Sequence, residues 1–110
     1  MDVTIYLVEG VTDLAAALSL GLPAIGRPSC SGCITYVQIA INGLGVKRAI
    51  IVGDNDTPGI RGAKQLAEEL QVPCCNLLLP CKDLREFRRL GGDRALFDSL
   101  TSQLVWHQPR

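Results

Sequence analysis

The clearest signal of the fold is the run Ala49-Ile50-Ile51-Val52, followed directly by Gly53-Asp54-Asn55-Asp56. Four apolar residues without polar alternation are typical of a strand at the centre of a parallel sheet, where both faces are buried. The glycine and the acidic turn end this strand, and helix signals resume after Pro58-Gly59. The stretch therefore predicts a strand, a turn and a helix, with acidic side chains at the carboxyl end of the strand.

Strands and helices alternate on both sides of this unit. Further strands are predicted where β-branched and apolar residues run together, at 3–8, 23–26 (short) and 74–79. Helices are predicted where apolar residues recur at helical spacing, at 14–18 with Thr12 or Asp13 as the cap, 34–44, 60–70, 84–90 and after Asp93. In the helix over 60–70, one stripe is formed by Ile60, Ala63, Ala67 and Leu70. This order predicts an α/β fold with a roughly four-stranded, mostly parallel sheet and helices on both faces.

Length and composition exclude several classes of protein. The chain has 110 residues and a hydrophobic fraction of 47%, which is enough for one domain with its own core. Its formal net charge is +0, so the overall charge does not attract nucleic acid. No apolar run is long enough for a membrane helix, and Asp2 stands where a signal peptide would be basic. We therefore expect a cytoplasmic protein with no membrane association.

Acidic residues reach one edge of the predicted sheet from two distant parts of the chain. Glu9 follows the first strand, and Asp54 and Asp56 follow the strand over 49–52. The carboxyl ends of parallel strands share an edge, and open α/β sheets bind their ligands there. Three carboxylates would repel one another unless a cation or a basic group joined them, and such oxygen ligands suit Mg²⁺. Taken singly, an aspartate after a strand is as often a helix cap or a turn residue.

Two known patterns compete for the acidic turn. The sequence Asp54-Asn55-Asp56-Thr57 matches the Asp-x-Asp-x-Thr motif of haloacid-dehalogenase phosphatases, but that family normally opens its fold with the motif strand. Here a strand and a helix precede the motif, and too little chain follows it. Response-regulator receivers also end two strands with acidic residues, yet only Glu9 is present where they carry a pair, and Lys82 comes too early for their lysine. Neither pattern fits the whole chain.

Two motifs taken together resemble the Toprim domain, the catalytic domain shared by primases, topoisomerases and some nucleases. Residues 8–16 (VEGVTDLAA) resemble its first motif, a strand ending in Glu-Gly with an aspartate four residues after the glutamate. Residues 52–63 (VGDNDTPGIRGA) resemble its second motif, Asp-x-Asp followed by a glycine and a helix. Residues 18–26 (LSLGLPAIG) are similar to Toprim segments of bacterial-type DNA primases and phage primase–helicases. The resemblance covers roughly residues 3–90, implies a Rossmann-like fold, and is fairly specific because both motifs occur in order.

The resemblance implies roles for individual acidic residues. Glu9 would be the general acid/base in nucleotidyl transfer or strand cleavage. Asp54 and Asp56 would hold Mg²⁺ or Mn²⁺, with Asp13 and Asp83 as further acidic groups.

The segment that contains Asp83 departs from the family pattern at one position. Arg85 stands where a second acidic residue is common, which puts a second metal site in doubt. Glu86 either substitutes for it or faces solvent on a short helix. Arg61 and Lys64 are the candidate nucleic-acid contacts, although charges on the polar stripe of an amphipathic helix are more often simply solvated.

The five cysteines raise the question of zinc. Cys30-x-x-Cys33 has the spacing of two zinc ligands, but the remaining candidates, Cys74, Cys75, Cys81 and His107, form no second well-spaced pair. We therefore expect reduced thiols and no zinc site. His107 is interpreted as part of the tail, and Trp106 as packing on the last helix or against a further domain.

The resemblance also implies a function and an organisation. Residues 1–90 would form the Toprim domain of a DNA primase that synthesises RNA primers, and residues 91–110 a helix and tail that continue into a longer protein. Neighbouring domains would bind the DNA template and nucleotides, and a helicase would be a partner or a fused domain. We expect little or no activity from this chain alone. The alternative is a Toprim-type nuclease or a non-catalytic accessory module that binds nucleic acid.

Overall fold

The fold was analysed on a computed structural model, which describes residues 4–27 and 33–109. The strands are β1 (Thr4–Glu9), β2 (Ala24–Arg27), β3 (Arg48–Val52) and β4 (Cys74–Leu77). The helices are α1 (Gly10–Ser19), α2 (Cys33–Leu44), α3 (Thr57–Glu69), α4 (Leu84–Arg89) and α5 (Arg94–Thr101). Strands and helices alternate up to β4, as the sequence predicts, and two helices follow it.

The four strands form one sheet in the order β2-β1-β3-β4, and every pairing among them is parallel. Val8 lies opposite Val52, and Glu9 lies opposite Arg27. After β1 the chain adds β2 on one side, and it later adds β3 on the other side. The strand order therefore reverses between β1 and β3, which is where open α/β sheets form their ligand crevice.

Alternating side chains of β1 and β3 build a core on each face of the sheet. On one face, apolar residues of the strands pack against α1, α4 and α5, and the buried members include Tyr6, Val8, Ile50, Val52, Ala17, Phe87 and Phe97. On the other face they pack against α2 and α3, and the buried members include Ile5, Leu7, Ala49, Ile51, Val37, Ile41 and Leu66. The predicted α/β architecture with helices on both faces is confirmed.

The C-terminal residues share the first of these cores. The Phe97 ring of α5 makes edge-on contacts with Tyr6 and Phe87, at centroid distances of 5.6 and 6.2 Å. Beyond α5, His107 exchanges two backbone hydrogen bonds with Cys74 at the start of β4, with N–O distances of 3.0 and 2.6 Å. Helix α5 therefore covers part of one face of the sheet, and the chain after it pairs with the start of β4.

Several predicted details are wrong. Helix α1 begins at Gly10 with Glu9 as its N-cap, not after Thr12 or Asp13, because the positive φ of Gly10 (81°) turns the strand straight into the helix. Asp13 consequently lies inside the helix. Strand β4 ends at Leu77, two residues earlier than predicted. Ile60 is 45% exposed and does not join the buried stripe of α3.

One further prediction, the cap of α5, is confirmed, and the prediction for the Cys30-x-x-Cys33 motif is not tested. Asp93 caps α5 as predicted, since its side chain accepts from the Leu96 N–H at 2.8 Å. The Cys30-x-x-Cys33 interpretation lies outside the described residues, apart from the backbone of Cys33. Within the described ranges, no helix is long and apolar enough to cross a bilayer.

Candidate functional site

The acidic turn after β3 lies against the first turn of α3. A Cβ atom on Gly59 would collide with the Asp54 carbonyl oxygen and stand 2.9 Å from Asp56 Oδ1. A Cβ atom on Gly53 would stand 3.1 Å from the Gly59 carbonyl oxygen. Both glycines are therefore needed for this close approach, which holds Asp54 at the carboxyl end of β3.

Asn55 fastens the acidic turn to the segment that follows β4. Its backbone N–H donates to the Lys82 carbonyl oxygen at 2.5 Å, and its side-chain Nδ2 donates to the Leu79 carbonyl oxygen at 3.0 Å. These two bonds bring the start of α4, including Asp83, to the same edge of the sheet as Asp54. Sequence reasoning did not single out Asn55, because this role depends on how β3 and β4 pair.

Asp56 and Asp83 serve as N-caps of the helices that follow them. Asp56 Oδ1 accepts from the Gly59 N–H at 2.8 Å, and Asp83 Oδ1 accepts from the Glu86 N–H at 2.8 Å. Each cap fixes the orientation of the carboxylate and occupies one of its two oxygens. The second oxygen of each residue is left for another partner.

Asp13 is the most deeply buried of the predicted acidic residues, with 2% of its surface exposed. Its Oδ1 accepts from the Arg85 backbone N–H at 3.1 Å, whereas its Oδ2 is buried and has no hydrogen-bond partner within the described chain. Burial raises the pKa of Asp13, the Arg85 N–H opposes that rise, and the charge of Asp83 adds to it. The contact joins α1 to α4 beneath the acidic turn.

Asp54 lies at the centre of the acidic group. Burial and the nearby charges of Glu9, Asp13, Asp83 and Asp56 raise the pKa of Asp54 to about 6. Burial is the largest cause, and the four carboxylates follow in that order. The structure thus brings together the five acidic residues that the sequence predicted, although they come from three separate segments of the chain.

Glu9 and Arg27 end the neighbouring strands β1 and β2 and lie in register on the same side of the sheet. Arg27 is only 7% exposed, and its Nε and Nη2 atoms and Glu9 Oε2 are buried without hydrogen-bond partners among the described residues. No ion pair within 4.0 Å joins the two side chains in the described structure. Burial lowers the pKa of Arg27, and the charges of Glu9 and Asp54 oppose that change.

Sequence reasoning missed Arg27 as a member of this site. Arg27 opens a segment rich in proline, serine and glycine, which is typical of a turn and gives no local sign of a site residue. The signal that was available is its position: Arg27 directly follows a short apolar run, as Glu9 does after β1. That signal gains meaning only once β2 is known to pair with β1.

The donor set fits Mg²⁺ in its chemistry, since it offers carboxylate oxygens and two buried oxygens that lack partners. Within residues 4–27 and 33–109, however, no group of three or more His, Cys, Asp or Glu side chains is arranged to hold one ion together. Bringing three carboxylates onto one cation would therefore require side chains to rearrange.

The two predicted nucleic-acid contacts lie on α3, the helix that Asp56 caps. Arg61 and Lys64 are exposed on α3. Lys64 lines a separate cleft with Glu68 and His107 beside the edge strand β4. Neither basic side chain makes an ion pair or a hydrogen bond within the described chain.

The remaining candidates have local partners. Glu86 Oε2 accepts from the Lys82 backbone N–H at 3.0 Å, and Glu86 Oε1 lies 3.5 Å from Arg89, so this side chain helps to start α4. Among the described cysteines, Cys74, Cys75 and Cys81 are free thiols. Burial raises the pKa of each of these thiols, that of Cys75 to about 11.

Solved structures with the same architecture include three primases. The Aquifex aeolicus primase (zinc-binding and RNA polymerase domains) has a TM-score of 0.79 at 21% identity, over 94% of this chain and 26% of that chain. A DNA primase domain from Pseudomonas aeruginosa has a TM-score of 0.76 at 23% identity, over 94% and 34%. The primase fragment of the bacteriophage T7 primase–helicase protein has a TM-score of 0.72 at 21% identity, over 88% and 43%. At these identities the likeness shows the fold, and this chain spans less than half of each of these structures.

Sequence comparison gives the family directly. No curated protein matches the chain in sequence. The family described as Toprim-like matches residues 6–88, from β1 into α4, and this range contains both motifs and all five acidic residues of the site. The chain therefore belongs to the Toprim-like family.

Proposed function

We propose that this chain is the catalytic Toprim domain of a DNA primase, which carries out Mg²⁺-dependent nucleotidyl transfer for RNA primer synthesis within a longer protein. One observation carries the proposal: Asp54 is partly buried among four other carboxylates, and burial together with their charges raises its pKa to about 6. Like charges gathered in a partly buried place destabilise the fold, and they are typical of sites that bind a cation. The fold likeness to three primases supports the reaction class.

In this proposal the acidic residues divide into ligands and a proton carrier. Asp54 and Asp56 would hold Mg²⁺ or Mn²⁺, with Asp13 and Asp83 as further acidic groups. When bound, the ion supplies neutralisation of phosphate oxygens and orientation for an in-line attack. The caps made by Asp56 and Asp83 keep their remaining oxygens close to Asp54 without a large loss of side-chain entropy on binding.

Glu9 would be the general acid/base, and its environment suits the role. Its Oε2 is buried and has no hydrogen-bond partner within the described chain, so this oxygen is available to accept a proton from an attacking hydroxyl group. Its position at the end of β1, next to β3, places it beside Asp54.

Binding of the template and the nucleotides would depend on other parts of a longer protein. We propose that residues 1–90 are the Toprim domain and that residues 91–110 lead into a further region. Neighbouring domains would bind the DNA template and the nucleotides, and a helicase would be a partner or a fused domain. Arg61 and Lys64 are proposed contacts to the nucleic acid because both are exposed cations without a partner among the described residues.

Metal binding can be tested on the chain alone. Titrating Mg²⁺ or Mn²⁺ should shift or broaden the amide resonances of residues 53–57, 83–86 and 9–13 in the wild type. The variant Asp54→Asn/Asp56→Asn should lose this response, and both asparagines keep the turn and the cap geometry. The matched control is Asp98→Asn, which removes a carboxylate on α5 that pairs with Arg94. Identical responses of the wild type and the double variant would contradict the metal site.

A second candidate function is a nuclease or a non-catalytic accessory module that binds nucleic acid. Of these two, the accessory role is favoured by the arrangement of the described residues, in which no three carboxylates are arranged on one point. We expect little or no template-directed primer synthesis from the isolated chain. In the full-length protein, Glu9→Gln should abolish primer synthesis. Unchanged synthesis in that variant would favour the accessory role, and metal-dependent cleavage of single-stranded DNA that Glu9→Gln abolishes would favour the nuclease.

A further inference from the structure

A cleft of about 290 Å³ opens between the start of α1 and the carboxyl end of β2, next to the acidic group. It is lined by Gly10, Val11, Leu14, Gly26 and Arg27. Two glycines and two aliphatic side chains leave Arg27 as the charged side chain in its wall. The position of the cleft at the end of β1 makes it the direct neighbour of Glu9.

The start of α1 offers backbone donors to this cleft. The first N–H groups of a helix have no partner within the helix, and they attract anions together with the helix dipole. Glu9 is the N-cap of α1, and its side chain makes no hydrogen bond to the first turn. A Cβ atom on Gly10 would meet no atom of the described residues within 4 Å, so no described side chain covers that side of Gly10. A helix start of this kind is common, and it does not identify a ligand by itself.

Arg27 supplies the independent observation. It is 93% buried, and both Nε and Nη2 lack a hydrogen-bond partner among residues 4–27 and 33–109. These two nitrogens form one edge of the guanidinium group, the edge that donates to two oxygens of a carboxylate or a phosphate at once. Charged donors left buried and unpaired are costly, so an anion in the cleft would stabilise them.

The carboxylates already present do not fill this role. Glu9 and Asp54 act on the charge of Arg27 from a distance, but no oxygen of either lies within 4.0 Å of the guanidinium nitrogens. Both residues also face the acidic group, where a cation would compete for them. The free edge of Arg27 is therefore left for an anion from outside the described residues. Both nitrogens are buried in this structure, so binding requires the Arg27 side chain to turn this edge into the cleft that it lines.

We propose that the cleft between α1 and β2 is a phosphate subsite, in which the Nε and Nη2 edge of Arg27 binds two phosphate oxygens and the N–H groups at the start of α1 bind a third. The phosphate belongs to a nucleoside triphosphate or to the backbone of a nucleic acid. Its use in nucleotidyl transfer rests on the function proposed above, whereas phosphate binding itself needs no metal. Because Glu9 and Asp54 repel an anion, affinity is weak without a cation and increases when Mg²⁺ is added.

The subsite can be tested with the 110-residue chain in EDTA. Inorganic phosphate is titrated while the amide resonances of Gly10 to Asp13 are followed, and sodium chloride at equal ionic strength serves as the salt control. In the wild type these amides should shift with phosphate and not with chloride. Arg27→Gln should weaken binding at least about tenfold, since a two-donor, charge-assisted contact is lost. Arg89→Gln, which removes an exposed arginine on α4, should bind as the wild type does.

A second variant guards against misfolding, because Arg27 is buried. Arg27→Lys keeps the charge but lacks the paired donors, and it should bind phosphate more weakly than the wild type. Absence of phosphate-specific shifts at Gly10 to Asp13 in the wild type would overturn the subsite. Shifts of equal size and affinity in a folded Arg27→Gln or Arg27→Lys variant would overturn the role of Arg27.

Separate titrations identify the source of the phosphate. A nucleoside triphosphate that shifts these amides where a short single-stranded oligodeoxynucleotide does not assigns the subsite to the nucleotide, and the reverse result assigns it to the nucleic-acid backbone. Failure of the metal site would be distinguishable, because phosphate would still shift Gly10 to Asp13 in EDTA while Mg²⁺ left the acidic residues unchanged. Failure of the subsite would leave the Mg²⁺ response of Asp54 intact.

Discussion

The two ends of the parallel sheet treat polar groups in opposite ways. At the amino end, the Arg48 guanidinium lies 4.8 Å from the centre of the Trp106 ring and donates to Thr4 Oγ1 at 3.0 Å. There too, Cys74 and His107 exchange two backbone hydrogen bonds. Polar groups at this end thus find their partners inside the chain.

At the carboxyl end, buried polar atoms lack partners within the described chain. These atoms are Glu9 Oε2, Asp13 Oδ2, and Nε and Nη2 of Arg27. Five carboxylates also gather there, and burial together with the charges of the other four raises the pKa of Asp54. Polar contacts at the amino end of the sheet therefore stabilise the fold. At the carboxyl end, the fold instead keeps polar groups in an unfavourable arrangement. Such an arrangement is expected where ligands complete the site.

Among the variants considered, one that fills the space between the acidic turn and α3 should lower the free energy of unfolding the most. In Gly59→Ala, the new methyl group collides with the Asp54 carbonyl oxygen, so the acidic turn must move away from α3. We expect the free energy of unfolding to fall by about 2–4 kcal/mol, as measured by urea denaturation. The matched control is Gly62→Ala in the same helix, where a Cβ atom would meet nothing within 4 Å. It should raise stability by about 0.5–1 kcal/mol, and a similar loss in both variants would contradict the packing argument.

These glycines also indicate how much the sequence could predict. Strand β3 and its acidic turn were predicted because their signals are local: an apolar run, a glycine and Asp-x-Asp. The start of α1 was predicted three or four residues too late, because a positive φ at Gly10 replaces the expected loop. Sequence patterns show that a glycine is present, but they do not show which conformation it adopts.

The site was predictable in its acidic members and unpredictable in its partners. Glu9 and Asp54 stand at strand ends, and parallel pairing places strand ends together. Arg27 and Asn55 were missed because their roles follow from which strands are neighbours. Arg27 matters because β2 pairs with β1, and Asn55 because β3 pairs with β4. Strand order is a property of the whole chain, which local patterns do not contain.

An intermediate effect is expected from removing the central charge of the acidic group. The pKa of Asp54 is raised from 3.8 to about 6, so between about pH 4 and 6 the folded protein keeps a proton that the unfolded chain has released. Stability therefore falls as the pH rises through this window. In metal-free buffer at pH 7, Asp54→Asn should be more stable than the wild type by about 1–2 kcal/mol, after allowance for partial exposure.

The pH dependence of this difference is the check. The advantage of Asp54→Asn should disappear near pH 4, where the wild-type carboxyl is protonated, and denaturation curves at several pH values measure it. As a control, Asp98→Asn removes an exposed carboxylate at the surface ion pair with Arg94, and it should change stability by about 0.5 kcal/mol or less. An advantage of Asp54→Asn that is equal at pH 4 and pH 7 would show that charge repulsion is not its cause.

A small difference in stability is expected between variants of two helix caps that have the same geometry. Asp83 and Asp93 each accept from the N–H group three residues later at 2.8 Å. Asp93 lies apart from the acidic group, since its neighbour Arg94 donates to the carbonyl oxygens at the C-terminal end of α1. Asp93→Ala should cost about 1 kcal/mol at pH 7, which is the usual value of such a cap. Asp83→Ala loses the same bond, but it also relieves the repulsion on Asp54 and Asp13, so it should cost less by about 0.5 kcal/mol.

Measuring both alanine variants at two pH values makes this difference between the caps decisive. Near pH 4.5 Asp54 carries a proton, so the relief that Asp83→Ala provides is smaller and the two variants should approach the same cost. Caps that differ at pH 7 and converge at pH 4.5 would show that charge, and not helix geometry, distinguishes the carboxyl end of the sheet. If Asp83→Ala lowers the stability as much as Asp93→Ala does at pH 7, the repulsion among the carboxylates around Asp54 is too weak to destabilise the fold. The support for a cation-binding site would then come only from the buried oxygens of Glu9 and Asp13, which have no hydrogen-bond partner among the described residues.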